Sequence, residues 1–122
     1  MTETVLSLER TTDAPRQARH QVRSLGDMIG HDRLEDATLL VSELVTNAVK
    51  YGPEDEAIEL TIAADDQHVR FTVHDRGRGP LPEMRDADDP TPGGHGLRLV
   101  DALADRWGTA RGSTRVWFEL DR

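Results

Sequence analysis

A two-layer α+β sandwich is the fold this sequence predicts, with helices on one face of a mixed, mostly antiparallel sheet. Three observations carry it. The segments "AIELTIAA" and "HVRFTVHD" alternate apolar and polar side chains with period two, the pattern of strands covered on one face and wet on the other. Between 37 and 48, Ala37, Leu40, Val41, Leu44, Val45 and Ala48 form one continuous apolar helical stripe. A chain of 122 residues with few aromatics suits one domain, spanning 1–122, with a single thin core.

The elements follow in order. "TVLSLE" reads as a short first strand with Leu6 and Leu8 inward. Asp13 is expected to cap a helix running through "APRQARHQVRSLGDMIG", with Pro15 in its first turn and Gly30 as its stop. Asp32 is expected to start the next helix, with Glu35 as capping-box partner; it runs to about Tyr51, where Gly52-Pro53 ends it. The two alternating strands come next. Ile58, Leu60 and Ile62 face one way in the first, and Val69, Phe71 and Val73 in the second, joined as a hairpin by "AADDQH". "RGRGPLPEMRDADDPTPGG" is the one long irregular stretch, a length that is usually functional or mobile. A helix from about His95 to Asp105 follows, then strands near "RWGTAR" and "TRVWFEL", with Val116, Phe118 and Leu120 inward.

Composition excludes several classes. No cysteine is present, so disulfide and thiolate chemistry are out. No apolar run approaches the roughly 20 residues that span a bilayer. The N-terminus lacks a basic-then-apolar leader, and a cytoplasmic location is expected. A formal net charge of -8 argues against nonspecific nucleic-acid binding and leaves room for a partner with a basic surface. There is no Walker A motif, Rossmann fingerprint or nucleophile elbow.

Three segments remain that could carry chemistry, each with a plain structural alternative. In "LLVSELVTNAVKYG", Glu43 and Asn47 are one helical turn apart, beside the apolar stripe, with Lys50 beyond. They could be an ordinary solvated stripe. Yet asparagine is a costly choice inside a helix, its amide oxygen suits a hard cation such as Mg²⁺, and a carboxylate beside it can orient a nucleophile or take its proton. In "VHDRGRGP", Asp75 keeps the inward parity of Val73 and must find hydrogen-bond donors there, or else simply stabilises a turn. Gly77 and Gly79 would let a flat ligand approach. In "GGHGLRLV", Gly94 and Gly96 open a helix whose first amides attract phosphate, or they form a flexible joint.

In order and spacing, "ELVTNAVKYG", "DRGRG" after a strand and "GGHGL" opening a helix closely resemble the asparagine box and the two glycine boxes of the GHKL ATPase superfamily. The resemblance covers nearly the whole chain. "VSELVTNAV", "GLRLVDALADRWG" and "VWFEL" are similar to stretches of the short bacterial anti-sigma-factor serine/threonine-protein kinases within it. It implies the Bergerat-type fold of histidine-kinase ATPase domains and an ATP site. Glu43 would match the general base and Asn47 the Mg²⁺-binding asparagine. Asp75 would match the acceptor of the adenine amino group, with Gly77 and Gly79 as the floor beside adenine. Gly94, Gly96 and Leu97 would form the lid hinge and the helix start that meets the phosphates, after a lid at about 80–94. Thr114 would match a strand threonine joined to the adenine site through water.

The leading expectation is therefore a Mg-ATP-binding regulator that phosphorylates a serine or threonine on a small anti-sigma-factor-antagonist-type protein, and that could also hold a sigma factor. A rival is a non-catalytic, nucleotide-responsive module that sequesters a regulatory protein, suggested by a lid whose one basic residue, Arg85, sits among several acids. A module cut from a longer sensor or phosphatase is a third, less expected because of the initiating methionine and the ending "FELDR". The subgroup commonly dimerises, and Trp117, expected on the wet sheet face, is compatible with a homodimer.

Overall fold

The structure is a computed structural model that describes residues 2–51, 56–74, 95–109 and 115–122. The elements run β1 (Thr2–Leu8), α1 (Ala14–Ser24), α2 (Gly26–Ile29), a 3-10 turn (His31–Arg33), α3 (Leu34–Tyr51), β2 (Ile58–Ala64), β3 (His68–His74), α4 (His95–Leu103), β4 (Arg106–Thr109) and β5 (Arg115–Asp121). The five strands form one sheet in the order β1-β2-β3-β5-β4. Every described pairing is antiparallel, where a mixed sheet was expected. The reason is topological. A helical crossover through α4 sets β4 parallel to β3, as such connections do. The returning strand β5 then inserts between them and pairs antiparallel with both.

The two periodicities meet in one core. From the sheet come Leu8, Ile58, Leu60, Ile62, Val69, Phe71, Val73, Val116, Phe118 and Leu120, all buried. From the helices come Ala14, Ala18 and Val22 of α1, the whole expected stripe of α3, and Leu97 and Val100 of α4. At the centre, register partners Phe71 and Phe118 stack with ring centroids 4.8 Å apart and planes 12° from parallel.

One cap and two helix boundaries differ from expectation. Asp13 has helical backbone angles (φ -82°, ψ -13°) and makes no capping bond; its carboxylate pairs instead with Arg16 at 3.4 Å. The expected long first helix breaks at Leu25. Ser24 Oγ donates to Gln21 O at 2.7 Å, and Gly26, a poor helix former, follows. Gly30 is the stop, with φ 98°, a conformation that favours glycine. Asp32 lies within the 3-10 turn, so α3 starts at Leu34.

The other sheet face has no helix over it among the described residues, yet it is not simply wet. Glu119 is only 8% exposed there, with Arg106 Nε at 3.2 Å, Arg70 Nε at 3.4 Å and His68 Nε2 at 3.6 Å. Arg70 also lies over the Trp117 ring, 4.2 Å from its centroid, and the ring crosses Gly108, where a Cβ would meet it at 3.0 Å. Trp117 is thus half-buried by its own chain.

The β2–β3 turn is held by Asp65, whose Oδ1 accepts from the Gln67 and His68 amides at 2.8 Å each. These bonds, helped by the His68 ring at 2.7 Å, hold the Asp65 carboxyl below the usual carboxylate range. A carboxyl lowered on folding adds stability above its unfolded pKa, and the benefit disappears as pH falls through the folded value. Asp65→Asn is therefore expected to lower the urea midpoint at neutral pH, with the gap to wild type closing in acid. Phe71→Ala, which empties the centre of the core, is expected to cost about 3–5 kcal/mol by urea denaturation.

Candidate functional site

Burial of the α3 stripe fixes which way the rest of that helix points. Leu44 and Ala48 are 5% and 4% exposed. Glu43 and Asn47, the residues just before each of them, therefore sit at the border of the buried face, and both are half-buried. Lys50 is exposed. Neither Glu43 nor Asn47 has a hydrogen-bond or ion-pair partner among the described residues. Both therefore keep their polar atoms open to solvent or a ligand. By contrast, Thr38 and Thr46 in the same helix turn back to the Leu34 and Ser42 carbonyls at 2.7 Å each, and Ser42 Oγ accepts from Arg19 at 2.8 Å.

The pair lies in the half of α3 that leads to one end of the sheet. Arg10, between β1 and α1, marks this place: it donates to Ala48 O of α3 and, from Nε, to Glu56 O at 3.0 Å, just ahead of β2. At the same sheet end, Leu8 closes β1 opposite Ile58, and His74 closes β3 opposite Arg115, the first residue of β5. Asp75 follows His74 in sequence and Thr114 precedes Arg115. Asp75, Gly77, Gly79, Gly94 and Thr114 themselves, and the expected lid at about 80–94, lie outside the described residues. Gly96 falls in the first turn of α4, and Leu97, 3% exposed, drives that turn into the core shared with α3.

A second arginine braces the far end of α4. Arg33 donates to Leu103 O, in the last residue of that helix, at 3.1 Å, and pairs with Asp105 at 3.4 Å and Asp36 at 3.7 Å. Sequence reading missed Arg10 and Arg33. Both act over long separations, 38 and 70 residues, and no local pattern reports such a contact.

Among the described residues no cluster of three or more His, Cys, Asp or Glu could cage a metal. Nor is any described helix long and apolar enough to cross a membrane. What the geometry offers is an unpaired acid and amide on a core helix, at a sheet end where a crossover helix begins. The family model for the histidine kinase-like ATPase domain matches residues 8–119, and the chain belongs to that family. It is similar to the serine-protein kinase RsbW of Bacillus licheniformis, 32% identical over 91 residues, covering 62% of this chain and 56% of that protein. RsbW of Staphylococcus epidermidis is 30% identical over 90 residues, covering 62% and 57%. The chain thus spans little more than half the length of these curated relatives. In fold, the whole chain matches the crystal structure of the RsbU and RsbW domains of Rv1364c from Mycobacterium tuberculosis with a TM-score of 0.70, at 24% identity and over 32% of that chain.

If Glu43 and Asn47 face a ligand rather than support the fold, their removal will not weaken it. Asn47→Ala is expected to leave thermal stability unchanged or raise it by about 0.5 kcal/mol, the helix-propensity gain. Glu43→Ala is expected to stay within about 0.5 kcal/mol of wild type. A loss beyond about 1 kcal/mol in thermal denaturation would make either residue structural.

Proposed function

We propose that this chain is a single Mg-ATP-binding domain acting as a regulator, and that it phosphorylates a serine or threonine on a small antagonist-type protein while also able to hold a sigma factor. The observation that carries this is the Glu43–Asn47 pair, half-buried and without partners among the described residues, in a chain of the histidine kinase-like ATPase family. The serine-protein kinase names of its relatives support the kinase class and a serine acceptor.

The donor set fits magnesium that arrives with phosphate. Mg²⁺ keeps most of its waters and uses one or two protein oxygens plus phosphate oxygens, so no full protein cage is needed. Asn47 would supply one amide oxygen, and the ion would neutralise phosphate charge. Glu43 would accept the proton of the attacking hydroxyl. The hydroxyl oxygen bonds to the γ-phosphorus, the bond from that phosphorus to the β–γ bridging oxygen breaks, and ADP leaves. Such transfer depends mostly on positioning and electrostatics. Asp75 would accept from the adenine amino group, with Gly77 and Gly79 beside the ring and Thr114 linked through water. Gly94, Gly96 and Leu97 would carry the lid at about 80–94 into the helix start below the phosphates.

A second reading is favoured by the composition of that lid, in which Arg85 is the one basic residue among Glu83, Asp86, Asp88 and Asp89. With so little positive charge for a γ-phosphate, nucleotide would act as a switch and the partner would only be sequestered. The two readings part at Glu43→Ala, which abolishes transfer in the first and leaves partner binding and regulation intact in the second.

Calorimetric titration with ATP and ADP, with and without magnesium, tests the site. Asp75→Asn is expected to weaken binding by about 1.5–3 kcal/mol, tenfold or more. Asn47→Ala is expected to remove the magnesium dependence. Wild type that binds no nucleotide at millimolar concentration would reduce the three boxes to scaffold and end the kinase reading.

A further inference from the structure

Arg33 offers more than the proposed site uses. It ends the 3-10 turn that runs straight into α3, and its guanidinium reaches across to α4. One Nη donates to Leu103 O at 3.1 Å and the other pairs with Asp105 at 3.4 Å. Asp105 is itself tied to β5: its amide donates to Glu119 O at 3.0 Å and its Oδ2 accepts from the Asp121 amide at 2.7 Å. A single side chain therefore registers the start of α3 and the end of α4, and through Asp105 the end of β5.

We infer that Arg33 is a positioning residue that sets α4 against α3, and thereby the separation of the α4 N-terminus from the Glu43–Asn47 pair. This rests on the proposed nucleotide site. α4 spans nine residues, about 13 Å at 1.5 Å per residue, so it moves as a rigid rod. Leu97 and Val100 hold its flank through apolar contact, which resists separation but tolerates sliding along the helix axis. A directional bond to its last residue fixes the axial position.

Two observations favour positioning over mere stabilisation. The Arg33 Nε is buried with no partner among the described residues, a cost that a simple brace has no reason to carry. And α4 has no basic residue in its own last turn, which contains Asp101, so the cation that its C-terminal dipole favours is supplied from the 3-10 turn that leads into the helix bearing the proposed catalytic pair.

The test titrates ATP and adenosine into wild type, Arg33→Ala and Arg33→Lys below their melting temperatures, and follows amide hydrogen exchange across 97–103. Arg33→Ala is expected to weaken ATP about tenfold and adenosine less than about twofold, because phosphate geometry suffers and the adenine end does not. Exchange in 97–103 is expected to quicken. Arg33→Lys, with one donor group in place of a fork, is expected to fall between. Equal loss for ATP and adenosine would make the role structural only. Unchanged ATP affinity or unchanged exchange would overturn the inference while leaving the nucleotide site in place. Wild type that binds no ATP would instead remove the proposed site, and this role with it.

Discussion

The burial of one stripe of α3 against the sheet is the constraint on which the rest depends. Six residues of that helix, Ala37 through Ala48, are no more than 5% exposed. Successive residues on a helix are turned by about 100°, so this stripe leaves α3 no freedom to rotate. A shift of one residue would bring Glu43 and Asn47 under the sheet in place of Leu44 and Ala48, burying a carboxylate and an amide in the apolar core. The same packing that makes the core thus sets the azimuth of the candidate site. Arg10 and Arg33 complete the placement from outside the helix, one at each end.

What the sequence made legible follows from local periodicity. Period-two alternation locates β2, β3 and β5 with their inward residues correct, and the α3 stripe is complete in the linear pattern. Helix boundaries were less legible because caps compete with neighbours. Asp13 finds Arg16 rather than the helix amides, and a single Gly26 splits what periodicity joins. Strand order was not legible at all. Nothing in a linear pattern says that β5 will insert between β3 and β4, yet that insertion puts His74 beside Arg115 and so brings two distant stretches of chain to adjacent strand ends. Of the candidate site, α3 and the start of α4 are described and fall where spacing placed them; Asp75, the glycines 77, 79 and 94, and Thr114 lie beyond the described residues.

The open sheet face shows why an exposed-looking tryptophan is a poor guide to function. Trp117 faces away from the helices, as parity required, but Arg70 stacks on it and Gly108 makes room beneath it. Cross-strand neighbours satisfy such residues within the chain, and single-residue reasoning does not see neighbours that register alone creates.

Charge gives the sharpest contrast between structure and site. The chain carries 23 acidic and 15 basic Lys and Arg residues, so carboxylates are abundant and their presence alone says nothing. Glu119 is nearly buried, and Arg106, Arg70 and His68 surround it; its desolvation is offset within the fold. Glu43 is half-buried on a core helix and meets no such partner among the described residues. Asn47 one turn away is in the same position, although the arginines nearest to α3 in sequence and space, Arg10, Arg19 and Arg33, each bond elsewhere. The described arginines beside α3 are engaged with carbonyls, a hydroxyl and other acids, and none bonds to the acid–amide pair. The fold thus satisfies one carboxylate with two arginines and a histidine on the open sheet face, and leaves another open to solvent at the border of the core helix with no described cation beside it.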